Sequence, residues 1–457
     1  MYTPNIDALA SRSLLLKRAY VQQAVCSPSR SSFLTGRRPD TTHVYDLVSS
    51  FRHVGGNFTT LPQFFKQKGY KTYGIGKIFH GKNASGGDDT PSWTEPYFHG
   101  DDPYFRDRNF SWEAVPDSEL QTKPLVDRQI ADHAIQTLRS ISGSVKKGET
   151  DFFMAVGFRR PHLPFVFPDS VMQTHYPKHL IRLPSNPYAP VNMPNISWSS
   201  YDELRIHYGD IKALNLSGEI NTTLPDQITL DLRRAYYSAV TWIDSLVGEV
   251  IRELDSLGLS NNTVVSFIGD HGWQLGEHGE WCKHTNFEIT THAPMMIHIP
   301  GLTDHGIVTE QLTEFVDLYP TIVEAAGHGS LPLCPEDSVN TKICREGTSL
   351  VPLIIKPDTA IKHTAFSQFW RPGNIMGYSM RTNRYRYTEW VDFKYAPTYK
   401  ANWDIKHGVE LYDHNVDPEE NYNGADDPKY HDIKTELSKL LHKGWRHTPD
   451  VISEIIG

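Results

Sequence analysis

The sequence predicts an α/β fold, with a large mixed, mostly parallel sheet flanked by helices over residues 1–355. A smaller α+β domain with a small antiparallel sheet and a helix is predicted over 356–457. Three observations carry this prediction. Helical and strand periodicities alternate through residues 1–355. The clearest helix is followed by an apolar strand that ends on polar residues, which is where open α/β sheets place their chemistry. After about Leu353 the texture changes to short β-rich runs, as a minor antiparallel sheet requires.

At the amino terminus, MYTPNIDALASRS reads as a loop entering a short helix, with no apolar h-region of a signal peptide. Residues 81–125, rich in Gly, Asp, Pro and aromatics, predict a long surface loop. Asp127 to Ile141 reads as a helix and Asp151 to Gly157 as a buried strand. From about Leu230 to Leu257, Leu232, Ala235, Ala239, Ile243, Leu246, Val250 and Leu254 keep a three-four spacing, and Gly258 closes the helix. Thr263 to Ile268 follows as a strand running into Gly-Asp-His-Gly. Met295 to Ile299 makes another strand and Asp317 to Ala326 another helix. In the last quarter, strands are expected at 364–369, 376–381, 384–391 and 409–412, and a helix from about Lys429 to Lys443.

Composition narrows the function classes. The chain has 457 residues, 39% hydrophobic and 22% charged, with a formal net charge of -9. No basic stripe points to nucleic acid, and no apolar run is long enough to cross a bilayer. Seven N-x-[ST] sequons, at Asn57, Asn83, Asn109, Asn195, Asn215, Asn221 and Asn261, favour the secretory pathway over the cytosol. Of four cysteines, Cys334 and Cys344 flank a polar loop and form the natural bridged pair in an oxidising compartment. Cys26 and Cys282 have no evident partners. Cys282 is read as a small half-buried residue.

Four segments carry chemistry. The first is Cys26-Ser-Pro-Ser-Arg30, followed by Leu34-Thr35-Gly36-Arg37; a buried Cys opening a helix would not account for the Pro, Arg, Thr and Gly at these offsets. The second, Asp270-His271-Gly272, ends a strand and is followed by Lys283. The third is Gly76-Lys77-Ile-Phe-His80, and the fourth is Arg160-Pro-His162-Leu-Pro-Phe165. With 22 histidines in the chain, a lone one carries little weight; His80 and His162 gain theirs from the flanking patterns.

These segments resemble the sulfatase family, the first at every defining position, and the resemblance implies the alkaline phosphatase/sulfatase-like fold. It implies that Cys26 is oxidised by a formylglycine-generating enzyme to formylglycine, whose hydrate splits one hard hydrolysis into two easier steps. It assigns Cys26, Arg30 and His80 to catalysis, Lys77, His162 and Lys283 to sulfate, and Asp270, His271 and Cys26 to one calcium ion. Calcium prefers oxygen, so Asp270 suits it and the imidazole of His271 does not. Within the family the likeness runs over nearly the whole chain to the iduronate-2-sulfatase branch, through GRRPDTT, VGFRRPHLPF, DHGWQLGEHGEW and MGYSMRTNRYRYTEW. That branch removes the 2-O-sulfate of iduronate in the glycosaminoglycans heparan and dermatan sulfate, in lysosomes. Arg159 and Arg160 either hold a substrate carboxylate or are solvated surface charges.

Family members begin with a central strand ending in an Asp pair that binds the metal. That strand is expected upstream of Pro4, outside this sequence; Asp88-Asp89 and Asp101-Asp102 lie in polar loop instead. The chain is therefore read either as a fragment or as a product that cannot hold its metal, and it is expected to be inactive as written. A sulfatase of another sulfated carbohydrate, a phosphatase or phosphodiesterase of the same superfamily, and a glycosaminoglycan-binding pseudoenzyme are the competing readings.

Overall fold

A computed structural model describes residues 1–106 and 108–447; residues 448–457 of the predicted C-terminal domain lie outside the described residues. The chain enters through the expected short helix, Pro4–Ala10. Asp244 caps it, its carboxylate accepting the backbone N–H groups of Asn5 and Ile6 at 3.0 and 2.7 Å. The elements that build the site then follow in order: β1 (Leu14–Tyr20), α1 (Cys26–Thr35), β2 (Lys71–Gly76), β3 (Trp112–Val115), α2 (Val126–Lys146), β4 (Phe152–Gly157) and β5 (Phe165–Pro168). Next come α3 (Asp226–Ser256), β6 (Val265–Ile268), β7 (Met295–His298), β8 (Ile307–Glu314) and α4 (Leu318–Ala325). The last part of the chain forms β9 (Ala365–Arg371), β10 (Ile375–Arg381), β11 (Tyr385–Lys394), β12 (Lys400–Asp413) and α5 (His431–Lys443).

A mixed four-stranded sheet runs in the order β8-β1-β7-β6, with β1 parallel to β8 and antiparallel to β7. Beside it β2 and β4 form a parallel pair, in register from Lys71 opposite Phe152 to Gly76 opposite Gly157. Among the described residues β4 and β6 each pair on one side only. Both rest on the same helix layer, for Phe152 and Met154 of β4 and Val265 of β6 meet Leu138 of α2 and Leu254 of α3. The mixed sheet with flanking helices is thus as predicted, divided into two pieces at this point.

Burial explains the elements. The apolar stripe of α3 turns Leu232, Ala235, Ala239, Ile243, Leu246 and Leu254 inward, because residues three and four apart share one helix face. Leu14, Leu16, Phe33, Met295, Ile297 and Leu318 form the main core between β1, β7, α1 and α4. Strands β9 to β12 make an antiparallel meander, and α5 covers it with Leu437, Leu440 and Leu441 against Met380, Tyr385 and Leu411. This second sheet docks beside β1: Gln368 N–H donates to the Gln22 carbonyl and Ser367 Oγ to the Val21 carbonyl, at 2.8 and 2.6 Å.

Two expectations are corrected. Residues 81–125 are not a simple surface loop. β3 pairs with β5, Trp93 is buried against the main core, and Asp88, Asp89 and Asp102 are buried. The reason is partner supply from far along the chain, since Arg52 pairs with Asp89 and Arg160 with Asp102. Cys282 is fully buried, not half-buried, because it packs with Trp281 and Leu275 in the cluster beneath α3. The Cys334–Cys344 bridge forms as expected.

Candidate active site

Cys26 is the first residue of α1, so its sulfur sits at the positive end of a ten-residue helix. Gly36 closes that helix with φ of 64°, in the left-handed region, and a Cβ there would meet the Tyr319 ring at 2.7 Å. Glycine at this offset is thus a packing requirement. The arginines that follow serve structure. Arg37 donates to Ser338 Oγ and the Thr341 carbonyl at 2.9 and 2.6 Å, and Arg38 makes a forked pair with Glu314 at 2.7 and 2.6 Å.

The other segments converge on Cys26 from the carboxyl ends of strands. Gly76 ends β2 with φ of 79°, and a Cβ there would lie 2.1 Å from the Gly157 carbonyl oxygen. That close crossing turns the next residue, Lys77, inward, and its Nζ lies 3.3 Å from Cys26 Sγ. Beyond β6, His271 Nε2 lies 3.5 Å from the same sulfur. Its Nδ1 lies 2.8 Å from the Gly272 carbonyl oxygen, which requires a proton on Nδ1, and its Nε2 faces the site.

Arg30 ties these pieces together. Its Nε donates to Asp270 Oδ2 at 2.8 Å, and its Nη1 donates to the Ile78 carbonyl at 2.8 Å and to that of Lys77. Ser29 Oγ donates to the Asp270 carbonyl. The guanidinium thus locks the Asp270 carboxylate to the segment that carries Lys77, leaving Asp270 Oδ1 3.7 Å from His271 Nε2.

Charge follows the geometry. Burial pushes the Cys26 thiol up, but the ammonium groups of Lys77 and Lys283 and hydrogen bonds from His162 and His271 hold it well below its ordinary range. Burial also opposes the Asp270 charge, and Arg30, then His271, outweigh it and hold the carboxyl low. For His162, burial and the nearby Lys77 and Lys283 push the ring down.

Of the predicted residues, the structure gathers Cys26, Arg30, Lys77, Asp270, His271, Lys283 and His162 into one place. Lys283 is only 2% exposed, and its ammonium is held by Glu203. Among the described residues His80 makes no hydrogen bond or ion pair with Cys26; it lies near enough to Asp88 for their charges to interact, and its Nδ1 is buried without a hydrogen-bond partner. Arg160 matches neither alternative drawn from the sequence, being buried with its two Nη atoms on Asp102 at 3.2 and 3.3 Å. Sequence reasoning missed two site groups. Glu203 lies in Tyr201-Asp-Glu-Leu-Arg205, which carries no motif. Trp273 belongs to a motif already quoted; its ring packs near His162, His271 and Tyr236, and its Nε1 is buried without a partner among the described residues.

Ligand atoms of Cys26, Asp270 and His271 lie within 4.8 Å of one another, a spacing compatible with one cation. Asp270 Oδ1 is a calcium-type donor. Against the six to eight oxygens that calcium takes, these residues supply part of a shell.

Comparison with known proteins agrees with this geometry. The sulfatase family profile matches residues 1–328, and a profile described as N-sulphoglucosamine sulphohydrolase, C-terminal, matches residues 276–446. The chain is 36% identical to the iduronate 2-sulfatases of Mus musculus and Homo sapiens, over 94% of its length and 87% and 88% of theirs. A protein solved in complex with its substrate D-glucosamine-2-N,6-O-disulfate superposes with a TM-score of 0.69 at 19% identity, covering 99% of this chain and 95% of that one. On the extent of the profile match and the identity over nearly its full length, the chain belongs to the sulfatase family, the sulfuric ester hydrolases.

Proposed function

We propose that this protein hydrolyses sulfate esters of glycosaminoglycan sugars, specifically the 2-O-sulfate of iduronate in heparan and dermatan sulfate. The observation that carries this reading is the convergence of Lys77, His162, His271 and Asp270 on Cys26 at the start of α1. Likeness to the iduronate 2-sulfatases supports the choice of sugar. Oxidised to formylglycine and hydrated, residue 26 supplies one hydroxyl to attack sulfur and a second whose deprotonation releases sulfate. One calcium ion, held through Asp270, the residue-26 oxygens and His271, would lower the pKa of that hydroxyl and neutralise sulfate charge.

The chain's own residues do the rest. Lys77 and Lys283 bind the sulfate oxygens from two sides. Arg30 holds Asp270 and residue 26 in fixed relation through its rigid fork of donors. His162 hydrogen-bonds with Cys26, and a sulfate there offsets the two ammonium groups that, after burial, depress its basicity; it then serves as the proton donor to the departing sugar alkoxide. His80, at the end of the Gly76-Lys77-Ile-Phe-His80 segment, assists the leaving group.

All seven sequon asparagines are exposed, which together with the bridge supports a lysosomal or secreted setting. No helix among the described residues is long and apolar enough to cross a membrane. A second reading is glycosaminoglycan binding without turnover, since among the described residues Asp270 is the one carboxylate grouped with Cys26 and His271.

Mass spectrometry of the Cys26 peptide, from cells that contain the formylglycine-generating enzyme, tests the reading together with turnover of a 2-O-sulfated iduronate disaccharide. An aldehyde mass, turnover by the wild type and none by Cys26→Ala are expected. Turnover with an unmodified thiol would sink the mechanism; sugar binding with no turnover would establish the second reading.

A further inference from the structure

Glu203 is the only acidic side chain within ion-pair distance of Lys283 among the described residues. Its two oxygens lie 2.7 and 2.5 Å from Lys283 Nζ, and it also reaches His162 Nε2 at 3.3 Å and His284 Nε2 at 3.6 Å. The ammonium also lies over the Trp273 ring, 4.8 Å from the centroid. Lysine is a point charge on a flexible four-carbon stem; here Glu203 and Trp273 decide where that charge sits.

The charge balance gives the carboxylate a second effect. Asp270, the carboxylate beside Cys26, pairs with Arg30 through Oδ2 and makes no ion pair with Lys283 among the described residues. Glu203 is therefore the anion that offsets Lys283 in the sulfate pocket. A sulfate ester carries one negative charge and free sulfate carries two. A fixed anion beside the pocket consequently weakens binding of the product more than binding of the ester. Lys283, His162 and His284 outweigh the burial of Glu203 and keep it charged far below the ordinary carboxyl range, so the offset persists in acid.

We propose that Glu203 is a positioning residue of the sulfate pocket: it fixes the Lys283 ammonium beside residue 26 and offsets its charge, so that the pocket grips a sulfate ester without retaining the sulfate product. The proposal rests on the sulfatase reading of the site.

Calorimetric titration of the full chain with inorganic sulfate at low ionic strength tests it without requiring turnover. Glu203→Gln keeps an acceptor for Lys283 but removes the charge, and it should bind sulfate about tenfold more tightly than wild type. Glu203→Asp keeps the charge and should stay within about twofold of wild type. With a sulfated ester as substrate, Glu203→Gln should lower KM and kcat together, and sulfate should become a stronger product inhibitor. A merely structural glutamate would instead weaken sulfate binding when replaced. Thermal melts establish that the variants are folded, and Glu203→Asn reads the same sign if the glutamine variant does not fold. Sulfate affinity equal to or weaker than wild type in a folded neutral variant overturns the proposal, as does absence of sulfate binding in every form. A wild type that binds sulfate but turns over no ester, with tighter binding by Glu203→Gln, upholds the role of Glu203 and sinks the sulfatase reading.

Discussion

Cys26 and Cys282 are both buried, yet their surroundings drive them apart. Cys282 lies in an apolar cluster, and burial, then the Glu203 charge, push its thiol well above the ordinary range. Cys26, also raised by burial, faces Lys77 and Lys283 and is pulled well below it. A thiol whose pKa is depressed stays ionised as pH falls, and the thiolate is the reactive form. Protein carrying the unmodified thiol should therefore lose less of its iodoacetamide reactivity at Cys26 between pH 8 and pH 6 than an ordinary thiol loses, while Cys282 stays unlabelled. Lys77→Met should restore an ordinary, steep pH dependence at Cys26. Peptide mass spectrometry over a time course reads both rates, and equal pH dependence in the two forms would refute the role given to Lys77. The motif around Cys26 was legible in the sequence, because its chemistry needs particular residue types at short offsets. Glu203 was not: it reaches Lys283 from 80 positions away, and no local pattern marks it.

The segment from β6 to Lys283 shows how an element is held in place. Glu280 is fully buried between two partners, accepting the Ser199 backbone N–H at 2.5 Å and Gln274 Nε2 at 3.0 Å. Burial pushes its carboxyl up to about 7, against the pull of those two hydrogen bonds. The folded value lies above the unfolded one, so the folded chain binds the extra proton. Stability from this group is complete below the ordinary carboxyl range of about 4 and is lost as pH rises from there to about 7. Wild type should thus melt at a lower temperature at pH 7.5 than at pH 5, and Glu280→Gln, permanently neutral, should lose less across that interval. The difference should be at most about 3 kcal/mol, and parallel pH profiles would refute it. The loop closed by Cys334–Cys344 is the second such case. Non-reducing peptide mapping should find the bridge, and Cys334→Ser with Cys344→Ser should lower stability by about 2–4 kcal/mol in chemical denaturation. Most element positions were legible from periodicity; β3 was not, because a four-residue strand inside a polar stretch has too few residues to show a period.

Between the two sheets runs a buried ionic network. Glu288, on the catalytic side, accepts from Arg381 Nε at 3.1 Å, Arg386 Nη2 at 2.5 Å and Tyr20 OH at 2.7 Å. Arg386 Nε also donates to Glu420 at 2.6 Å. Arg386 and Arg381 hold Glu288 in its charged form despite burial. Arg371 adds a direct link to the active site, donating to the His284 carbonyl, next to Lys283, at 2.7 Å. Removing one partner of a buried ion pair leaves the other charge uncompensated, which costs about 3–5 kcal/mol. Arg386→Ala should therefore destabilise the protein by about that amount and make the linker between α4 and β9 easier to cleave. Denaturant melts and limited proteolysis check this. A loss below about 1 kcal/mol would mean that the sheets dock through their apolar contacts alone.

The reaction class was determined by residues close together in the chain. Cys26 with Arg30, Lys77 with Gly76, and Asp270 with His271 sit at offsets that a helix start or a strand end converts directly into geometry, so the local code was enough to read them. Tertiary packing decided the charge environment of those groups. Arg160 became a buried partner of Asp102, His80 came to lie near Asp88, and Lys283 acquired Glu203. The physical reason is that Coulombic pairing depends on distance in space, which a linear pattern of residue types does not encode, and that burial multiplies the strength of whichever pair the fold happens to bring together.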